Sequence, residues 1–199
     1  GLVVDGDKVT TAGVEAGRGV LRSFDMALTT VATSRSVDEL GNWTQTVTTS
    51  VDGAPGTPVV TSGSQAPSGV AYVTSSNVTT AGSAADLATR DIGDLGGGTI
   101  AGLVLDGGDL YLGGSTRNGA LTAGAPVAAH SGGVDGFALR LSTDLTSNAG
   151  DQLAYVGGTG DDTVTAIAAS GGKVWLTGSA GEGLGGAAMG AKDGFVSQV

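Results

Sequence analysis

Apolar residues in this chain fall into short runs that are separated by glycine-containing turn signals. The clearest case has one run at Thr163–Ala169 and a second at Lys173–Gly178, with Gly171 and Gly172 between them. Two-residue turns between paired strands need positive φ angles, which glycine adopts at little steric cost. Similar signals occur at three other places, namely Asp5–Asp7, Ser75–Asn77 and Asp106–Gly108. The pattern therefore predicts a succession of β-hairpins and an all-β fold.

Two segments of the chain repeat each other. Residues 92–115 and 156–179 align without a gap, and eight of the 24 aligned positions are identical. Most of the identical positions are glycines, which indicates that the turns are repeated as well as the strands. Beyond a loop of unequal length, Asp135-Gly136-Phe137 corresponds to Asp193-Gly194-Phe195. We interpret the two segments as copies of one structural unit.

A shorter copy lies at the start of the chain, where residues 1–13 match residues 102–114 at six of 13 positions. We predict one repeat in residues 92–150, one in residues 151–199, and degenerate or decorated repeats of the same continuous array in residues 1–91. Each complete repeat is predicted to be a four-stranded antiparallel sheet. Its fourth strand, Gln152–Val156 in the last copy, is predicted to come directly before the repeated unit.

The segment YVGGTGDDTVTAIAASGGKVWLTGS followed by KDGFV resembles the bacterial SBBP-type β-propeller repeat. The resemblance is strong for residues 152–199, good for residues 92–141 and partial before them, and residues 35–67 match no part of it. It implies four-stranded blades of about 50 residues, of which three to four would form a partial β-propeller-like ring. Because the chain enters and leaves the repeat in mid-pattern, we expect it to be a fragment of a longer polypeptide.

The charge of the chain restricts its partners. Nine Lys and Arg residues, scattered singly, stand against 19 Asp and Glu residues, giving a net charge of −10. A surface of this kind offers no footprint for phosphate backbones, which excludes nucleic acid. The apolar runs are far shorter than the roughly 20 residues of a membrane-spanning helix. The chain has no cysteine, which excludes disulfides. We therefore expect a protein partner, or the remaining blades of the parent chain, and no membrane insertion.

One motif carries a specific chemical hypothesis. Residues 157–165, GGTGDDTVT, fit the calcium nonapeptide pattern GGxGxDxUx, in which aspartate and backbone carbonyls supply oxygen ligands. Asp161 and Asp162 are therefore candidate metal ligands, with calcium as the candidate ion and no other cofactor expected. The first copy has Gly98 in place of Asp162, and calcium sites of this type need successive copies. The same string therefore also fits a structural turn between blades.

No catalytic constellation emerges from the sequence, and we predict that the chain is not an enzyme. His130 is the single histidine, in a loop without a second metal-binding side chain, which favours a solvent-exposed residue. Ser62-Gly63-Ser64 lacks the spacing and the following helix of a nucleophile elbow. A propeller-type glycosidase or other hydrolase stays open as the less favoured alternative.

The function that these features favour is a non-catalytic scaffold for interaction or display. The resemblance implies a bacterial secreted or surface-associated protein, in some cases flagellum-associated, with an extracellular or cell-surface location. Its binding surface is predicted to come from loops, at residues 12–20, 52–67, 116–133 and 180–191. Open blade edges would allow pairing with a second copy. A calcium-stabilised adhesin-like module is the competing interpretation.

Overall fold

A computed structural model of the protein describes residues 1–81, 85–146, 149–181, 184 and 190–199. Every helix or strand in these residues is a β-strand, which confirms the predicted all-β fold. In the described part of the chain, no helix is long and apolar enough to span a bilayer.

The strands follow one another in the order β1 (Leu2–Asp5), β2 (Lys8–Glu15), β3 (Arg18–Asp25), β4 (Leu28–Val37), β5 (Asn42–Val51), β6 (Ala54–Pro55), β7 (Val59–Ser64), β8 (Tyr72–Ala81), β9 (Ala85–Asp94), β10 (Thr99–Asp106), β11 (Asp109–Thr116), β12 (Pro126–Ala128), β13 (Asp135–Ser142), β14 (Gln152–Val156), β15 (Thr163–Ser170), β16 (Lys173–Ala180) and β17 (Asp193–Gln198). Sheet 1 has the order β1-β2-β3-β9, sheet 2 has β10-β11-β13-β14-β12, and sheet 3 has β15-β16-β17. The inserted sheet has the order β6-β5-β4-β8, with β7 also paired to β5. Its strands lie between β3 and β9 in the sequence.

The chain divides into two compact units. The first comprises residues 1–25 and 86–199 and contains sheets 1, 2 and 3, while the second comprises residues 26–85 and contains the inserted sheet. The segment that matches no part of the repeat, residues 35–67, therefore falls within the second unit.

The two copies of the repeat fold in the same way. The hairpins β10–β11 and β15–β16 both turn through two glycines with positive φ, Gly107-Gly108 and Gly171-Gly172. Each first strand also has an irregularity at the same position, after Ile100 in one copy and after Val164 in the other. Gln152–Val156 forms a strand, β14, but it pairs antiparallel with β13. The prediction that this strand belongs to the following repeat is therefore wrong, because it completes the sheet that precedes it.

Two apolar clusters hold the first unit together. Sheets 1 and 2 share the larger cluster, to which Leu21, Leu112 and Phe137 contribute fully buried side chains. Sheets 2 and 3 share the smaller one, which includes Leu176. Gly102 and Gly113 of sheet 2 allow the close approach, because a Cβ atom at either would lie 2.8–3.0 Å from Ile167 of sheet 3.

The second unit is a sheet of long strands with little buried surface. β4 pairs along its full length with β5 on one side and β8 on the other. The predicted turn at Ser75–Asn77 is wrong, because these residues lie inside β8 and pair with β4. Their local preference for a turn is outweighed by the pairing partner that the fold supplies. Three predicted binding loops also contain strands: residues 12–20 comprise the end of β2, a tight turn and the start of β3, residues 52–67 contain β6 and β7, and residues 116–133 contain β12. Most of the fourth predicted loop, residues 180–191, lies outside the described residues.

Candidate functional site

The two predicted metal ligands lie in the loop between β14 and β15, at the junction of sheets 2 and 3. The side chain of Asp162 is fully buried. Its Oδ2 accepts a hydrogen bond from the backbone N–H of Gly158 at 2.6 Å, and its Oδ1 accepts one from Gly181 at 2.7 Å. The carboxylate therefore ties the start of its own loop to the residue that follows β16.

Asp161 has a different environment, because half of its side chain is exposed. Its Oδ1 accepts a hydrogen bond from the N–H of Val134 at 2.9 Å, and its Oδ2 lies 3.7 Å from Nη2 of Arg117. The two neighbouring carboxylates thus bind different segments. Among the described residues, no group of three or more His, Cys, Asp and Glu side chains could hold a metal ion. The assignment of Asp161 and Asp162 as metal ligands stays a prediction.

The structure brings Asp162 close to a residue that the sequence analysis missed, Asp135 at the start of β13. Asp135 is fully buried, and its Oδ2 accepts a hydrogen bond from the N–H of Ser131 at 2.6 Å. Its Oδ1 is buried without a hydrogen-bond partner among the described residues. The sequence signal for Asp135 is the repeated Asp-Gly-Phe, which begins both β13 and β17.

His130 lies beside this carboxylate, with its Nδ1 3.8 Å from Oδ2 of Asp135. The expectation of a solvent-exposed histidine is wrong, because only 15% of the side chain is exposed. Its ring packs edge-on against Tyr155, with 5.4 Å between the ring centroids. The loop that carries His130 folds back over β14, and burial raises the pKa of the Tyr155 hydroxyl.

A cavity of about 320 Å³ lies in the first unit. Its apolar lining includes Tyr111, Val174 and Val199. The charged side chains in its wall already have partners: Arg140 Nη2 lies 2.6 Å from Asp109 Oδ2, and Asp106 accepts a hydrogen bond from the N–H of Gly172. The hydrogen bond to Asp109 raises the pKa of Arg140. The cavity therefore suits an apolar side chain better than a charged substrate.

The outer edge of β17 lies in the same region of the first unit. In sheet 2, β14 pairs with β13 from Gly136 to Arg140 and forms the fourth strand of the meander. In sheet 3, β17 corresponds to β13, but no described strand pairs with its outer edge. Val196 on this edge is 76% exposed, and Val199, which follows β17, lines the cavity. An unpaired strand edge next to an apolar cavity can accept a further strand.

The inserted sheet carries a second concave surface. Its lining includes Val37, Trp43 and Tyr72. The guanidinium of Arg35 stacks 4.5 Å from the centroid of the Trp43 ring, which rigidifies the aromatic side chain. At the turn beside it, Asn42 donates a hydrogen bond to Asp38, and this bond lowers the pKa of the carboxyl group. Aromatic side chains at a surface, such as the exposed Tyr72 and the partly exposed Trp43, are enriched at protein-binding surfaces.

Comparison with known proteins gives one informative similarity. The chain is 42% identical over 199 residues to Regulatory protein FlaEY of Caulobacter vibrioides. The similarity covers 100% of this chain and 18% of the relative. No family model matches the chain. The chain thus spans less than a fifth of the length of the curated regulatory protein that it matches.

Proposed function

We propose that the chain is a non-catalytic, protein-binding part of a flagellum-associated bacterial regulatory protein. Its first unit is proposed to be three blades of a β-propeller-like array of the SBBP type, and its inserted sheet an additional binding surface. The observation that carries the proposal is the 42% identity, over all 199 residues, to a curated bacterial regulatory protein, and the proposed binding surface is the edge of β17 that no described strand pairs with.

The arrangement of the three sheets supports the propeller interpretation. Sheet 1 (β1-β2-β3-β9) and the first four strands of sheet 2 (β10-β11-β13-β14) share one order, and sheet 2 adds β12 parallel to β14. Successive sheets make contacts through equivalent strands, β1 and β2 against β10 and then β10 and β11 against β15. Such stacking of four-stranded sheets is the building principle of propellers.

The pairing of the charged groups around the cavity, in the part of the chain that the structure describes, supports a non-catalytic role. Its charged side chains are bound to each other or to backbone amides, and the relative is named as a regulatory protein. A strand of a protein partner, or of the remaining blades of the parent chain, would pair with β17 and place apolar side chains over the cavity. A second copy of the chain is an alternative source of that strand. An extracellular or cell-surface location is part of the proposal, and the resemblance to SBBP-type repeats supports it.

A peptide copying residues 149–158, which contain the fourth strand of sheet 2, tests the binding edge. We expect the labelled peptide to bind the purified chain, and Val196→Lys to weaken binding at least tenfold because a charged side chain opposes strand pairing. Val196→Thr, which keeps strand propensity without a charge, is the matched control. Equal binding by the wild type and Val196→Lys would show that the β17 edge is not the binding site.

The regulatory part of the proposal is tested in cells that carry the gene. We expect an in-frame deletion of the codons for this chain to reduce swimming in soft agar, and Val196→Lys to reproduce the defect. Cells with Val196→Thr should swim as the wild type does. Unchanged swimming of the deletion strain would exclude the flagellum-associated role.

A further inference from the structure

The strongest unexplained feature of the molecule is a pair of buried carboxylates that meet at the junction of sheets 2 and 3. Asp135 and Asp162 are both fully buried. A Cβ atom on Gly157 would lie 2.9 Å from Oδ2 of Asp162 and still closer to Oδ1 of Asp135. The two oxygens therefore converge on the space that is left because residue 157 is a glycine.

The hydrogen bonds at this site leave part of its negative charge uncompensated. Oδ2 of Asp162 accepts the N–H of Gly158, whereas Oδ1 of Asp135 has no partner among the described residues. The imidazole of His130 faces the other oxygen of Asp135, with 3.8 Å between His130 Nδ1 and Asp135 Oδ2. Buried carboxylates are normally neutralised by a positive charge, because removing them from water is costly. A cation on the side that faces Gly157 would supply that positive charge.

The equivalent junction of sheets 1 and 2 has a different arrangement of charges. Arg18 pairs with Glu15 in sheet 1 as Asp135 pairs with Thr116 in sheet 2, so Arg18 occupies the position of Asp135. Its guanidinium Nε lies 2.6 Å from Oδ2 of Asp91. Gly98 stands in the sequence where the later junction has Asp162. At the position of Asp135, the earlier junction therefore has a cation that pairs with an acid, whereas the later junction has a buried acid.

We propose that Asp135 and Asp162 bind a calcium ion that bridges Oδ1 of Asp135 and Oδ2 of Asp162. Calcium prefers carboxylate and carbonyl oxygens at about 2.3–2.6 Å, and it accepts irregular geometry. The carbonyl groups of Gly157 and Gly158 lie beside the carboxylates, where both accept a hydrogen bond from the hydroxyl of Ser131. They could supply further ligands. The ion would clamp β13 to the loop before β15, and Asp161 would not be a ligand.

Calcium titration of the purified, chelator-treated chain tests this proposal. We expect calorimetry to detect one site per chain and the thermal midpoint to rise by about 5–10 °C at a hundredfold excess over Kd, with reversal by EDTA. Asp135→Asn should abolish both signals, since it removes the charge and keeps the shape. Asp161→Asn is the matched control, because it lies in the same loop and should retain both signals.

A second variant keeps the test decisive if Asp135→Asn does not fold. Gly157→Ala places a methyl group in the space between the two oxygens, and it should abolish calcium binding while circular dichroism shows the all-β spectrum. The proposal is wrong if the wild type shows neither heat of binding nor a shift in midpoint. It is also wrong if Asp161→Asn abolishes binding and Asp135→Asn does not, because the ion would then lie at Asp161.

Discussion

The loops that open the two copies of the repeat, residues 93–98 and 157–162, occupy equivalent positions and are held by different interactions. In the first loop, Leu95 is fully buried in the larger apolar cluster. In the second, Thr159 stands at the position of Leu95, and the buried group is the carboxylate of Asp162. The buried group that fastens the loop is thus an apolar side chain at one junction and a carboxylate at the other. A buried carboxylate can bind a cation, whereas a buried leucine cannot.

The substitutions with the largest expected effect on stability test whether the two copies of the repeat contribute equally to it. Leu112 and Leu176 occupy equivalent positions and are both fully buried. We expect Leu112→Ala and Leu176→Ala each to lower the free energy of unfolding by about 3 kcal/mol, because each leaves a cavity in an apolar cluster. Urea unfolding measures the change. Val196→Ala, at an exposed position, serves as the control and should change stability by less than about 0.5 kcal/mol. A large difference between the leucine variants would mean that the copies are not equivalent.

A smaller effect is expected from removing the carboxylate that fastens the second loop. Asp162→Ala leaves the amides of Gly158 and Gly181 without their acceptor, and we expect a loss of about 2 kcal/mol. Hydrogen exchange of these two amides should accelerate along with the loss in unfolding free energy. Asp161→Ala, next to it but half-exposed, should cost less than about 1 kcal/mol. Equal losses for the two variants would contradict the structural role assigned to Asp162.

The ion pair at the first junction should contribute less still. Arg18 and Asp91 are about half-exposed, so Arg18→Ala should lower stability only slightly, and less at high salt, because solvent and salt screen the ion pair. The hydrogen bond from Arg18 lowers the pKa of Asp91 in the folded protein. The stabilisation is therefore present above the ordinary carboxyl pKa and is lost as the pH falls through the lowered value. In Arg18→Ala, NMR titration should show the pKa of Asp91 moving back up. An unchanged pKa would mean that Arg18 does not hold this carboxylate.

The smallest effect on stability is expected at the turn after β13, which lies outside both junctions. Hydrogen bonds from Ser142 and Thr146 lower the pKa of the Asp144 carboxyl to about 2. Its contribution to stability is present above the ordinary carboxyl pKa and disappears as the pH falls toward about 2. Ser142→Ala should raise the pKa of Asp144 in an NMR titration without changing calcium binding. A change in calcium binding would show that this exposed turn is coupled to the junction.

Local sequence determined the hairpins of this protein and the existence of its repeat. Gly107-Gly108 and Gly171-Gly172 were predicted as turns and form them, since a turn that needs positive φ at both positions depends on the residues within it. The repeated glycines also indicated correctly that the two copies fold alike. These features involve few neighbours in space, so the sequence pattern alone carries them.

Tertiary structure decided which strand completes which sheet and which side chains meet. The sequence placed β14 with the wrong repeat, because an apolar strand does not specify its hydrogen-bonding partner. It likewise gave no means of pairing Asp135 with Asp162, which are far apart in the chain and meet only where sheets 2 and 3 pack. The burial of His130 has the same origin, since its loop is covered by contacts with β14. Composition and spacing determined the elements of this protein, and packing between sheets determined its candidate site.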